Sequence, residues 1–137
     1  MSGLRLRAAP IDAVDEVTLT SGTDVTATKT IHAGDPYLEG HYPDFTIYPG
    51  VFIMESVGQT VDHYVALTFG ADRMAELTTV TSVRFTAPLL PGDTLRVFCA
   101  IAVDGDVLRV KASCKNAADI SAATMKLEYN VMDRVAE

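Results

Sequence analysis

The sequence contains no tryptophan, only two cysteines, and fewer positive than negative charges. Eleven Lys and Arg residues against 18 Asp and Glu residues give a net charge of -7 at pH 7. Nucleic acid and anionic membrane surfaces repel such a chain, so neither is an expected partner. The sequence also has no apolar run long enough to cross a bilayer, and its start lacks the pattern of a signal peptide. We therefore expect a soluble, cytoplasmic protein.

Several common catalytic motifs are also missing from the sequence. There is no glycine-rich phosphate loop, no G-x-S-x-G nucleophile elbow and no paired-cysteine zinc motif. The three histidines, His32, His41 and His63, follow no short metal-ligand spacing. The sequence therefore implies neither a cofactor nor a metal. We expect His32 to lie on the surface, and we expect neither His32 nor His63 to take part in catalysis.

The two cysteines lie in a predicted β-hairpin. Asp104-Gly105 is typical of a two-residue type I′ turn, which would pair Cys99 with Val110 and Cys114 with Leu95. In that register the two thiols share one face but lie well apart along the strands. We therefore expect two buried, reduced cysteines.

The 137 residues, 48% of them apolar, are enough for one domain spanning residues 1-137. A helix is predicted from Gly50 to Gly70, after Pro49 and ending at a glycine. Alternating apolar residues predict the strands 11-19, 25-31, 77-86, 94-103, 107-115 and 120-132. These elements predict an α+β fold in which an antiparallel sheet packs against a single long helix.

The predicted helix has one apolar arc and one mixed arc. The apolar arc comprises Ile53, Val57, Val61, Tyr64 and Val65. The second arc carries Glu55, Ser56, Gln59, Asp62 and His63, but several apolar residues interrupt it. A fully solvated face would not need those apolar residues. We infer that the helix is covered on more than one side, with a second subunit as one candidate cover.

A histidine, a loop framed by prolines and a glutamate stand close together in the sequence. Separately, His41 could be an ordinary loop residue, Glu55 an ordinary helix carboxylate, and Pro43 and Pro49 simple stiffeners of a turn. In combination they provide a base, an acid and, at Gly50, the free backbone N-H groups of a helix start. That set can move a proton beside a carbonyl and expel a leaving group.

Two sequence segments resemble the FabZ-like 3-hydroxyacyl-acyl carrier protein dehydratases. "GHYPDFTIYPGVFIMESVGQ" at 40-59 resembles the family signature G-H-F-P-x-x-P-x-x-P-G-V-L-x-x-E-x-x-A-Q. The matching positions are His41, Pro43, Pro49, Gly50, Val51, Glu55 and Gln59. "VRFTAPLLPGDTLRV" at 83-97 resembles a second family segment through Phe85, Pro88, Pro91, Gly92, Asp93 and Leu95. The resemblance covers roughly residues 11-132.

The resemblance implies a hotdog fold, in which a curved antiparallel sheet wraps a long central helix, and a dimer in which two sheets join. It implies dehydration of a 3-hydroxyacyl thioester to the trans-2-enoyl thioester, in fatty acid or polyketide-type biosynthesis. By resemblance, His41 removes the α-proton, Glu55 of the partner subunit protonates the leaving hydroxyl, and Gly50 polarises the carbonyl. Val51 and Gln59 would also bind substrate, and Gln59 could orient Glu55.

The expected partner is an acyl carrier protein that bears a phosphopantetheine-linked acyl chain, and the enzyme could be a homodimer or a heterodimer. Because this family's carrier is acidic, a basic docking patch is expected. Its candidate residues are Arg84, Arg96, Arg109 and Lys111.

Two alternatives to the dehydratase function stay open. One is a hotdog acyl thioesterase, which His41 disfavours, and the other is a non-catalytic subunit of a heterodimeric dehydratase, which the joint presence of His41 and Glu55 disfavours.

The sequence departs from the family pattern at several positions. Thr46 replaces a proline, Asp44-Phe45 replaces a Gly-Arg pair, and Tyr42 replaces phenylalanine. Gly58 stands where alanine is usual, which weakens the helix and makes room for substrate. These departures predict a specialised relative with an unusual acyl chain.

Overall fold

The computed structural model describes residues 13-32 and 50-134. Within these ranges, six strands and one helix follow each other along the chain. Their bounds are β1 Glu16–Leu19, β2 Asp24–Thr30, α1 Gly50–Phe69, β3 Arg73–Phe85, β4 Thr94–Asp104, β5 Val107–Lys115 and β6 Ser121–Asp133. The strands form one antiparallel sheet in the order β1-β2-β4-β5-β6-β3. The predicted α+β fold, one helix against an antiparallel sheet, is confirmed.

The helix α1 covers one face of the sheet, called here the inner face. Every residue of the predicted apolar arc is buried, and Val57, Val61, Tyr64 and Val65 are fully so. The inner-facing residues of β4 alternate regularly and are buried as well. No helix in the described ranges is long and apolar enough to cross a membrane.

The assignment of Ser56 to the polar arc was wrong, because its side chain is fully buried. The Ser56 hydroxyl donates a hydrogen bond to the Phe52 carbonyl oxygen one turn earlier, at 3.0 Å. Thr60 repeats this arrangement, with a 2.7 Å bond from its hydroxyl to the Ser56 carbonyl oxygen. Hydroxyls that bond to their own helix can enter the core without an unpaired polar group.

Some predicted strand limits shift in the structure. The first strand begins at Glu16 rather than at residue 11, and residues 11 and 12 lie outside the described ranges. The third begins at Arg73 rather than at residue 77. The helix stops at Gly70, whose φ of 127° is accessible to glycine, and the Arg73 N-H donates to the Gly70 carbonyl at 3.0 Å. This tight turn sends the chain directly into β3.

The predicted turn and register of the β4-β5 hairpin were wrong. Asp104 pairs with Val107, so the turn residues are Gly105 and Asp106, one position later than predicted. Gly105 has a φ of 62°, whereas Asp106 has no positive φ, and a type I′ turn requires positive φ at both positions. A type II′ turn requires positive φ only at its first turn residue, which here is Gly105.

The corrected register brings the two cysteines closer together than predicted. Cys99 lies opposite Ala112 and Cys114 lies opposite Val97, so the thiols are diagonal neighbours on the inner face. Both are free and buried, which confirms the expected state. Burial raises the pKa of Cys114 to about 12. Burial, and secondarily the nearby Cys114, also raises the pKa of Cys99.

Candidate active site

The predicted site residues divide between the described and undescribed parts of the chain. Gly50, Glu55 and Gln59 lie on α1. Val51 is also in α1, but its side chain is not described. His41 and the rest of the segment 33-49 lie outside the described residues. The position of the proposed base relative to the acid therefore stays a prediction.

Gln59 holds the carboxyl group of Glu55. The Gln59 side-chain amide donates from Nε2 to Glu55 Oε2 at 2.9 Å. Its Oε1 accepts a hydrogen bond from the Ala13 backbone N-H at 3.0 Å. Because a backbone donor occupies the amide oxygen, the NH₂ end must face the carboxyl group. The predicted contact between Gln59 and Glu55 is confirmed, and it holds the Oε2 end of the carboxyl group.

Gly50 begins α1 at a point where the two sequence motifs meet. The ring of Phe85, from the second motif, lies so close that a Cβ placed on Gly50 would be 2.9 Å from Phe85 Cζ. A larger residue at position 50 would displace the ring. The first N-H groups of a helix have no partner within it, so they can bind a developing negative charge. No local sequence pattern predicted this contact between distant residues.

The rest of the second motif fixes the end of β2. The Ile31 N-H donates to the Asp93 carbonyl at 3.0 Å, and the Gly92 N-H donates to the Ile31 carbonyl at 2.7 Å. The Asp93 carboxylate also accepts from the backbone N-H groups of Thr94 and Ala117, at 2.8 and 2.9 Å. Ile31 lies two residues before the segment 33-49, so this motif holds the last described residues ahead of the segment that carries the predicted base.

Tyr129 is a site neighbour that the sequence reasoning missed. It projects from the inner face of β6, and its hydroxyl lies 3.7 Å from where a Cβ on Gly58 would be. Burial raises the pKa of this phenol, with further contributions from Cys99 and from the carboxylates of Glu55 and Asp62. The alternation of β6 predicted that Tyr129 faces the core, but only the tertiary structure places its hydroxyl next to Gly58, one turn beyond the acid.

The four predicted docking cations lie on the outer face of the sheet, opposite α1. Arg96 pairs with Asp119 at 3.1 Å, and Arg109 pairs with an aspartate at 3.4 Å and a glutamate at 3.7 Å. Arg84 and Lys111 have no ion pair among the described residues. The four cations therefore share one face of the sheet, but acidic side chains pair with two of them, and that face points away from Glu55. His32 is exposed, as predicted, and so is His63.

Comparison with known proteins identifies the family. The family model described as ApeI dehydratase matches residues 17-125, which is most of the chain. The chain belongs to the ApeI-like dehydratases. Its relatives include the 3-hydroxyacyl-[acyl-carrier-protein] dehydratase FabZ of Solibacter usitatus, 29% identical over 93% of this chain and 78% of the relative. FabZ of Oleidesulfovibrio alaskensis is 34% identical over 72% of this chain and 67% of the relative.

Solved structures similar to this ApeI-like dehydratase confirm the hotdog fold. The dehydratase heterocomplex ApeI:P from Xenorhabdus doucetiae superimposes with a TM-score of 0.63 at 19% identity, covering 90% of this chain and 99% of the other. A thioesterase from Haemophilus influenzae gives 0.67 at 8% identity, covering 89% and 80%. At these identities the structural likeness concerns the fold alone. The sequence relatives make this ApeI-like chain a dehydratase, and hence a hydro-lyase.

Proposed function

We propose that this enzyme removes water from a 3-hydroxyacyl thioester on acyl carrier protein and gives the trans-2-enoyl thioester. The observation that carries the proposal is the Ala13-Gln59-Glu55 chain of hydrogen bonds. A proton donor must be held in one orientation to act on a leaving group, and the side-chain amide of Gln59 does this for Glu55. The printed names of the FabZ relatives supply the substrate class.

In the proposed reaction, His41 takes the proton from C2 of the substrate. The electron pair of that C-H bond forms the C2-C3 double bond, and the C3-O bond breaks. The protonated carboxyl of Glu55 gives its proton to the departing hydroxyl, which leaves as water. The N-H of Gly50 donates to the thioester oxygen and stabilises the negative charge that develops there.

We further propose that the enzyme is a dimer that joins through β3. This strand lies at the end of the sheet, and β6 is its strand partner in the described part of the chain. Leu77, Val80 and Phe85 lie on the inner face of β3, opposite buried residues of β6, yet each is between 42% and 49% exposed. A long edge strand with exposed apolar side chains invites pairing with another chain. A second copy would bring Glu55 of one subunit near His41 of the other.

The carrier-bound substrate gives a direct test of the reaction. Purified protein is incubated with a 3-hydroxyacyl carrier thioester, and the acyl-carrier mass is followed. Loss of one water supports the proposal. Release of free thiol without the enoyl product would instead show a thioesterase. Turnover that starts only when a second, related chain is added would show a subunit of a heterodimer; the similar structure ApeI:P is itself a dehydratase heterocomplex.

Hybrid dimers test the roles of the two residues. His41→Ala and Glu55→Gln should each abolish turnover, because each variant lacks one partner of the proton transfers. Subunits of the two variants, unfolded and refolded together, should regain part of the activity if His41 and Glu55 act across the interface. If the mixture stays inactive although hybrid dimers form, the arrangement across subunits is wrong.

A further inference from the structure

Gly58 weakens α1 without any packing reason. Glycine in a helix interior is less stable than alanine because it loses more backbone freedom on folding. A Cβ on Gly58 would meet the hydroxyl of Tyr129 at 3.7 Å, which is an ordinary van der Waals contact. Alanine would therefore fit in the protein alone. The missing methyl group leaves a notch in the helix wall, one turn beyond Glu55.

Tyr129 lies at the base of this notch, and its hydroxyl has no hydrogen-bond partner among the described residues. The residue is only 3% exposed, yet its hydroxyl makes no hydrogen bond within the described residues. Tyr64 is different, because its hydroxyl donates to the Gly22 carbonyl at 2.7 Å. Among the described residues, Arg73 Nε is the one fully buried side-chain polar atom that has no hydrogen bond, although it pairs with Asp133 at 3.2 Å. The Tyr129 hydroxyl, which also has no hydrogen bond there, is therefore not fully buried.

The second carboxylate near the notch is already occupied by contacts within the fold. Asp62, the next carboxylate along α1, already accepts from the Ala75 N-H at 2.8 Å and pairs with Arg134 at 3.6 Å. It therefore belongs to the framework that joins the helix to β3. Leu77, which lies opposite Tyr129 in the sheet, is 42% exposed and extends the notch with apolar surface.

We propose that Gly58 and Tyr129 form the subsite for the acyl chain beyond C3, and that the Tyr129 hydroxyl binds an oxygen-bearing group of that chain. This inference rests on the proposed dehydration at Glu55. A glycine with room for a methyl group and a tyrosine whose hydroxyl makes no hydrogen bond within the described residues face each other one turn beyond the acid. Apolar contact alone discriminates weakly between chains, whereas a placed hydroxyl discriminates strongly between substrates with and without a polar partner.

The test compares Gly58→Ala and Tyr129→Phe with wild type on three carrier-bound substrates. The 3-hydroxybutyryl thioester is the short reference, the 3-hydroxyoctanoyl thioester is the long apolar chain expected to reach the notch, and an octanoyl analogue with an added terminal hydroxyl offers an oxygen. Gly58→Ala should reduce kcat/KM for both long substrates about tenfold or more relative to the short one, chiefly through KM. Tyr129→Phe should remove the preference for the hydroxylated chain, a loss of about 5-fold to 30-fold.

Two matched variants control for stability. His63→Ala places alanine at an exposed position of the same helix and should leave the substrate ratios unchanged. Tyr64→Phe removes a hydroxyl that is hydrogen-bonded, so it should lower the unfolding midpoint without changing the ratios. Gly58→Ala and Tyr129→Phe should keep or raise that midpoint, so a loss of activity in them does not come from unfolding.

The outcomes separate this subsite from the reaction itself. If wild type dehydrates the substrates but Gly58→Ala and Tyr129→Phe keep its substrate ratios, the subsite is refuted and the reaction stands. Binding of unreactive amide analogues of the same acyl groups gives a second readout. If wild type dehydrates nothing, yet binds the hydroxylated analogue more tightly and Tyr129→Phe does not, the reaction is refuted and the subsite is supported.

Discussion

The contact between Gln59 and Glu55 can be tested by two substitutions at position 59. Gln59→Leu removes both hydrogen bonds of the side chain, to Glu55 and to the Ala13 N-H. Gln59→Glu keeps an oxygen that can accept from Ala13, but it replaces the donor facing Glu55 with a second acceptor. The two variants therefore separate support of the fold from orientation of the acid.

The magnitudes follow from the number of bonds lost. A hydrogen bond contributes about 1 kcal/mol net, so Gln59→Leu should lower the free energy of unfolding by about 1-2 kcal/mol. Gln59→Glu should cost less than about 1 kcal/mol, because the Ala13 bond survives and like charges one turn apart repel weakly. Both variants lose the bond that orients Glu55, so both should lower kcat by roughly tenfold, the equivalent of about 1.4 kcal/mol.

The assay combines urea unfolding with steady-state dehydration of a 3-hydroxyacyl thioester. The expected pattern is a similar loss of kcat in both variants but a larger loss of stability in Gln59→Leu. Full kcat in Gln59→Leu would refute the orienting role of Gln59. Equal losses of stability in both variants would refute the importance of the bond to Ala13.

Four further predictions concern the frame of the site and the buried cysteines. Asp93→Ala should lower the free energy of unfolding by about 1-2 kcal/mol, because its carboxylate accepts two backbone N-H groups; an unchanged urea midpoint would contradict this. Gly50→Ala should displace the Phe85 ring, and adding Phe85→Leu should recover stability, whereas strictly additive effects would argue against the contact. Cys99 and Cys114 should resist iodoacetamide in the folded protein at pH 8, since their pKa values are raised, and rapid labelling would contradict their burial. Stability should fall between about pH 9 and 12, where the unfolded Cys114 thiol ionises first.

Local patterns in the sequence were enough to predict most of the fold. The alternation of apolar and polar residues located the strands, although β1 and β3 begin at different residues from those predicted. The spacing of apolar residues from Ile53 to Val65 predicted the buried side of the helix. The four-residue spacing of Glu55 and Gln59 predicted their contact, because side chains i and i+4 of a helix are neighbours. Each of these features depends on residues close together in the chain.

Features that depend on how distant segments meet could not be predicted in this way. The hairpin turn moved by one residue because both Asp104-Gly105 and Gly105-Asp106 are acceptable turn sequences, and strand pairing selected the second. Ser56 entered the core because its hydroxyl bonds to its own helix. The predicted docking cations proved to face away from the acid, since only the folded sheet assigns each strand residue to a face of the molecule.

The sequence by itself determined the helix, the approximate positions of the strands and the dehydratase signature that carries Glu55. Tertiary structure alone decided that Phe85 closes on Gly50 and that Tyr129 meets the helix at Gly58. These pairs lie 35 and 71 residues apart in the sequence, so no local periodicity connects them. Their contacts arise because α1 packs across the inner face of the sheet, chiefly against β3, and that packing sets the shape of the site beside the acid.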